Sequence, residues 1–157
     1  MKNNSGFTIM ELMTVIAVIG ILSAIAIPNM IAWRTNHQLS ATAREVLSVI
    51  NGARLEAIKN NATVTVSFDA GAREVTTSYT NRVTGADRTV TTPLKSSIEI
   101  DSTTFASNAF NFNSRGFPVT IADPDVFASG DVTLTNAKGD SLTVTMASTG
   151  ATRIDKP

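Results

Sequence analysis

Gly6-Phe7-Thr8-Ile9-Met10-Glu11 leads directly into a run from Leu12 to Trp33 that contains no acidic or basic side chain. At ~1.5 Å per residue the run would make a helix of about 33 Å, close to the ~30 Å hydrocarbon core of a bilayer. Membrane spanning is therefore the first expectation. Glu11 makes the segment more than an anchor, because a carboxylate in an apolar helix costs on the order of 3 kcal/mol on insertion scales. A compensating charge is expected nearby. Cleavage between Gly6 and Phe7 would supply one, an ammonium on Phe7 one helical turn from Glu11, acting within one chain or between neighbours.

Three simpler readings compete. A secretory signal peptide would find its A-x-A site at Ala24-Ile25-Ala26, but the apolar run exceeds the usual core length and Glu11 interrupts its start. A lipoprotein signal needs a cysteine, and the chain has none. A plain single-span anchor accounts for the length but not for Gly6, Phe7 and Glu11 together.

Gly6-Phe7-Thr8-Ile9-Met10-Glu11-Leu12, followed by Thr14-Val15-Ile16-Ala17-Val18-Ile19-Gly20-Ile21-Leu22 and Pro28, resembles the class III signal of type IV pilins and type II secretion pseudopilins. The resemblance implies that a membrane prepilin peptidase, which is also an N-methyltransferase, cuts after Gly6 and methylates Phe7. It also implies that Glu11 guides subunit addition to a filament of other pilins or pseudopilins. Residues 1–6 would be a cleaved leader.

The chain has 157 residues, with thirteen basic and thirteen acidic side chains. That length leaves room for one domain beyond the apolar segment. Zero net charge exerts no global pull on nucleic acid or anionic lipid. Without cysteine there is no disulfide, thiol nucleophile or thiolate metal site.

From Arg34 to Asn61 the pattern becomes amphipathic. Leu39, Ala43, Val46, Ile50, Ala53 and Ala57 recur at spacings of three and four, reinforced by Leu47 and Ile58, which predicts one apolar helical stripe. Asn60-Asn61 is the expected stop. A continuous helix from Phe7 to Asn60 would extend about 80 Å, more than a domain of this size can bury, so its first half should project. Pro28 lacks an amide hydrogen and is expected to kink it.

Beyond Asn61 the period switches to two. Val64, Val66 and Phe68 alternate with Thr65 and Ser67 before the turn Ala70-Gly71-Ala72, and a hairpin partner is expected from Arg73 to Tyr79. Further strands are expected around 88–92, interrupted by Pro93, and at 97–101, 131–135, 141–146 and 151–155, about seven in all. Asn136-Ala137-Lys138-Gly139-Asp140 is a strong hairpin signal, and Asn113-Ser114-Arg115-Gly116 reads as a turn. Phe105, Phe110, Phe112 and Phe117 are expected to form a core cluster.

One long helix and then short strands predict an α+β chain with an antiparallel sheet on the distal half of the helix. The division is a span over 7–33, an amphipathic helix over 34–61 and a β-rich domain over 62–157. The stretches Ala53 to Val64, Phe112-Asn113-Ser114-Arg115-Gly116 and Val144 to Gly150 resemble the H-type pseudopilin and FimT/FimU minor pilin branch. The resemblance implies a pilin-like lollipop and a minor subunit at or near the tip of a type II secretion pseudopilus or type IV pilus. It further implies a single-pass protein of the bacterial inner membrane, its globular domain in the periplasm, incorporated into a periplasmic or surface filament.

No active site, cofactor or metal site is read from the sequence. His37 is the single histidine and has no convergent partners in sequence. Asp123-Pro124-Asp125 lacks the ligand spacing of a calcium loop and reads as a solvated turn. The alternative function is a binding module displayed on the filament tip, such as a DNA-uptake minor pilin; some FimT-like minor pilins resemble uptake receptors and carry Gly-Arg-x-Arg near the C-terminus. Here the stretch is Gly150-Ala151-Thr152-Arg153. Arg153 and Lys156, countered by Asp155, make a feeble phosphate patch and argue against a nucleic-acid partner.

Overall fold

A computed structural model describes residues 7–156, apart from the side chains at positions 28 and 32. Residues 1–6, the expected leader with Gly6, and the Pro28 side chain lie outside the described residues. Helix α1 runs over Ile9–Asn60 and remains helical through position 28. The chain divides into two compact units, Met1–Arg34 and Thr35–Pro157.

In the second unit the six stripe residues from Leu39 to Ala57 are all buried. Leu47 packs beside them half-buried, whereas Ile58 is half-exposed and falls outside the stripe. The helix ends in a Schellman arrangement: Asn61 turns left-handed at φ 47°, its amide donates to the Ile58 carbonyl, and the Ala62 amide donates to the Ala57 carbonyl. Asparagine tolerates that conformation better than most residues, which is why the stop is readable from the sequence.

Nine strands follow: β1 (Val64–Asp69), β2 (Glu74–Thr80), β3 (Asp87–Pro93), β4 (Ile98–Thr103), β5 (Ala109–Phe112), β6 (Pro118–Val119), β7 (Gly130–Asn136), β8 (Ser141–Met146) and β9 (Thr152–Asp155). They form two antiparallel sheets, ordered β3-β2-β1-β5-β6 and β4-β7-β8-β9. The expectation of about seven strands in one sheet is corrected on both points. β5 and β6 give little signal because they are only four and two residues long, and β5 joins the sheet through β1, remote in sequence. Thr65 opposes Asn111 and donates its hydroxyl to the Asn111 side-chain oxygen at 2.8 Å. Pro93 does not interrupt β3; it closes it, on an edge strand where a missing donor is tolerated.

One core joins the second-unit part of α1 to the inner faces of both sheets. Phe110 lies at its centre, with ring centroids 4.7 Å from Phe105, 6.3 Å from Phe68 and 5.2 Å from Phe112, the last edge to face. Phe117 does not join them. It is 39% exposed and pairs edge to face with exposed Phe127 at 5.8 Å. It follows Gly116 and precedes β6, whose buried positions are Pro118 and Val119, so the ring points away from the core. Phe68, outside the expected quartet, takes its place.

Long polar side chains fasten the turns. Arg54 donates to the Gly150 carbonyl at 3.3 Å, and a Cβ on Gly116 would lie 3.2 Å from its Nε. Arg54 thus bridges the β5–β6 turn and the β8–β9 turn. Asn136 is buried; its side-chain oxygen accepts the Lys138 and Asp140 amides, while its Nδ2 donates to Asn36 of α1.

Thr42 is fully buried on α1, and its hydroxyl has no hydrogen-bond partner among the described residues. Replacing an unpaired buried hydroxyl by a methyl of the same shape removes a desolvation penalty. Thr42→Val is therefore expected to be neutral or to stabilise by about 1 kcal/mol in urea unfolding of the full chain in detergent. A loss of similar size would show that the hydroxyl has a partner.

Candidate functional site

The candidate site is the N-terminal end of α1. Thr8 precedes the helix, and its Oγ1 accepts the Glu11 amide at 3.2 Å, while its carbonyl accepts the Leu12 amide at the same distance. This N-cap satisfies a donor that the first turn would otherwise leave open. Glu11 stands in that first turn, where the positive end of the helix dipole favours a carboxylate. The helix itself thus supplies part of the compensation that sequence reasoning assigns wholly to a Phe7 ammonium. The Thr8-Ile9-Met10-Glu11 spacing is that of a capping box, a signal for Thr8 that the sequence does carry.

One turn further on, the Thr14 hydroxyl donates to the Met10 carbonyl at 2.9 Å. Phe7 is 81% exposed and Ile9 80% exposed. Among the described side chains from 7 to 34, Ser23 alone is half-buried and none is buried. An 18-residue window of α1 is apolar enough to cross a membrane, and none of it is buried. Such a surface requires an apolar environment, lipid or the helices of neighbours.

The other singled-out residues lie in the second unit. Arg153 Nε is 2.7 Å from Asp155 Oδ2, which also accepts the Thr145 hydroxyl. Lys156 lines a small pocket with Asp140. The two cations do not converge on a common phosphate-sized site: one is tied to a carboxylate and the other stands beside one. Asp123 is a turn residue; its carboxylate accepts the Asp125 amide, and the Thr120 hydroxyl accepts the Asp123 amide. No cluster of three or more potential metal ligands occurs among the described residues.

One further polar group is not legible in the sequence. Glu56 on α1 accepts the Tyr79 hydroxyl at 3.2 Å and Asn60 Nδ2 at 2.8 Å on the same oxygen, and Lys59 stands 3.8 Å from the other. Burial, then the hydrogen bond to Glu56 and its charge, push the Tyr79 phenol above its usual range, with Arg88 pulling the other way. The phenol therefore remains a donor at neutral pH.

A long helix that opens on a capped carboxylate and continues into two antiparallel sheets has the architecture of pilin-type subunits. A family model described as "Type II transport protein GspH" matches residues 42–150, and one described as "Prokaryotic N-terminal methylation motif" matches residues 1–27. The chain belongs to the GspH family. It is 57% identical over 37 residues to the type IV major pilin protein PilA of Myxococcus xanthus, a match covering 24% of this chain and 17% of that one. A fimbrial protein of Pseudomonas aeruginosa is 34% identical over 82 residues, 48% of this chain and 53% of that one. The chain thus spans at most about half the length of these curated relatives. Among solved structures, the minor pseudopilin EpsH from the type 2 secretion system of Vibrio cholerae aligns with a TM-score of 0.58 at 16% identity, over 76% of this chain and 98% of that one. At that identity the likeness is one of fold.

Proposed function

We propose that the chain is a minor subunit of a type II secretion pseudopilus or type IV pilus, standing at or near the tip and supporting filament assembly and secretion. The observation that carries this reading is the N-terminal unit: an apolar helix with no buried side chain among those described, opening on Thr8-capped Glu11. The methylation-motif match over residues 1–27 supports the processing step. Residues 1–6 are then a leader removed between Gly6 and Phe7, and Phe7 becomes the N-methylated terminus. Residues 7–33 span the inner membrane, 34–61 continue the helix into the domain, and 62–157 form the β-rich part, held in the periplasm. Pro28 leaves one backbone carbonyl without its helical donor and so loosens the span within the bilayer.

The partners on this reading are the prepilin peptidase that cleaves and methylates the chain, and the other pilins or pseudopilins of the filament. In a host with that peptidase, intact-mass measurement of the purified chain should give a species that begins with N-methyl-Phe7. A chain beginning at Ile27 would instead identify an ordinary signal peptide and remove the basis for filament entry.

A further inference from the structure

Four strands form the sheet edges: β3 and β6 in one sheet, β4 and β9 in the other. Three of these carry features that discourage pairing with a foreign strand. β6 is two residues long and bridges to Phe127. β4 has a register shift between Ile100 and Ser102 and carries Glu99 and Asp101. β9 has four residues and holds the Arg153–Asp155 pair. β3 carries Asp87, Arg88 and Pro93 only at its ends; it keeps an unbroken register with β2 over seven residues, and the Thr89-Val90-Thr91-Thr92 stretch between them bears no charge. Alternate backbone amides and carbonyls along its outer side have no strand partner among the described residues.

The inner side of β3 is also open. Thr92, Val90 and Arg88 oppose Val75, Thr77 and Tyr79, and Val75 is fully buried, so this row faces α1. Between the hairpin and the helix lies a groove of about 650 Å³. Val49, Ala53 and Val64 contribute apolar wall, and Val90 remains 44% exposed above it. A Cβ added to Gly52 would meet nothing within 4 Å, which marks the space beside the helix as empty.

The charges in the groove are unequal in their engagement. Glu56 is held by Tyr79, Asn60 and Lys59. Arg88 makes no hydrogen bond or ion pair among the described residues, although it lines the same groove. A seated ligand therefore meets a groove of mixed apolar and polar lining, an open row of main-chain groups and, at Arg88, a guanidinium that no carboxylate holds by a hydrogen bond or ion pair among the described residues.

We propose that β3 and this groove bind an extended acidic segment of a partner polypeptide, which adds as a sixth strand and sets a carboxylate against Arg88. Main-chain pairing supplies affinity, and alternate side chains entering the groove supply selectivity. A second copy of this chain fits less well. Antiparallel pairing of two β3 strands would turn Arg88, Val90 and Thr92 of each copy toward the grooves, bringing two guanidinium groups and no carboxylate beyond the Glu56 of each copy, which is already engaged.

The test uses the full chain in detergent micelles and a fluorescein-labelled peptide of alternating threonine and valine with one central glutamate. Two control peptides carry glutamine in place of glutamate, or N-methyl groups on alternate amides. The glutamate peptide should slow hydrogen exchange at alternate amides of residues 87–93. Its affinity should fall about tenfold or more with the glutamine peptide or in Arg88→Gln, since a hydrogen bond between charged groups is lost. N-methylation should abolish binding. Unchanged β3 exchange at about millimolar peptide, or binding indifferent to N-methylation, would overturn strand addition. Affinity that ignores both Arg88→Gln and the glutamine peptide would overturn the acidic partner. Exchange that slows with protein concentration alone would identify a second copy as the occupant. Exchange elsewhere in the domain serves as the folding control for Arg88→Gln.

Discussion

Phe110→Ala should lower the unfolding free energy of the 35–157 unit by about 3–5 kcal/mol, a large part of the ~5–15 kcal/mol that holds a domain together. The ring is fully buried and touches the rings of Phe68, Phe105 and Phe112. Its removal loses the transfer free energy, the aromatic contacts and the packing of both sheets against one another, and the neighbours are too tightly arranged to fill the gap. Gly130 shows how tight: a Cβ there would lie 2.8 Å from two atoms of the Phe105 ring. Phe117→Ala is the matched control. Its ring is part-exposed and meets Phe127 at the surface, so the loss should stay within about 1 kcal/mol. Pulse proteolysis across a urea series, on the full chain in micelles, reads both values. Equal losses would mean that Phe117 belongs to the core after all.

Those two phenylalanines show where sequence reading succeeds and where it stops. Burial along α1 follows from a period that local geometry enforces, so Leu39 through Ala57 are identifiable from spacing alone. Val64, Val66 and Phe68, and later Ile98 and Ile100, are legible because one face of each strand meets the core. Phe117 is misplaced by sequence reasoning because composition counts rings without aiming them, and the left-handed Gly116, at φ 79°, sets the direction in which the Phe117 ring leaves the backbone. The split into two sheets is out of reach, since it depends on which distant strands pair.

The site divides in the same way. Glu11 stands out as the carboxylate that opens an uncharged run, and Thr8 can be found from its capping-box spacing. Arg88 and Val90 have no such signal. Their interest arises from the place of β3 at the sheet edge, where they line a groove with residues of α1, a relation that exists only in three dimensions.

The second large effect concerns Glu11. Its removal leaves the core of the 35–157 unit untouched and takes a charge out of an apolar segment, so insertion should improve by up to about 3 kcal/mol. The loss should appear only when subunits meet. An incoming Phe7 ammonium must leave water for the bilayer or the filament interior, and burying it unpaired is strongly unfavourable. Glu11, held in the first turn by the Thr8 cap, offers that ammonium its counter-charge in the same chain or in a neighbour. Glu11→Gln keeps the shape and removes the charge; Glu11→Ala removes both. If charge is the operative property, the two variants should fail alike, with filament incorporation reduced by an order of magnitude or more, the factor expected from losing a buried ion pair.

The most direct measurement is quantitative mass spectrometry of the filament or secretion-complex fraction from native-host cells, with membrane abundance and Phe7 processing measured in parallel. The wild-type chain should be present there as N-methyl-Phe7, and both Glu11 variants should be cleaved, present in the membrane and missing from the assembled fraction. Normal incorporation of both variants, or absence of the wild-type chain from every pilin-containing fraction, would contradict the account.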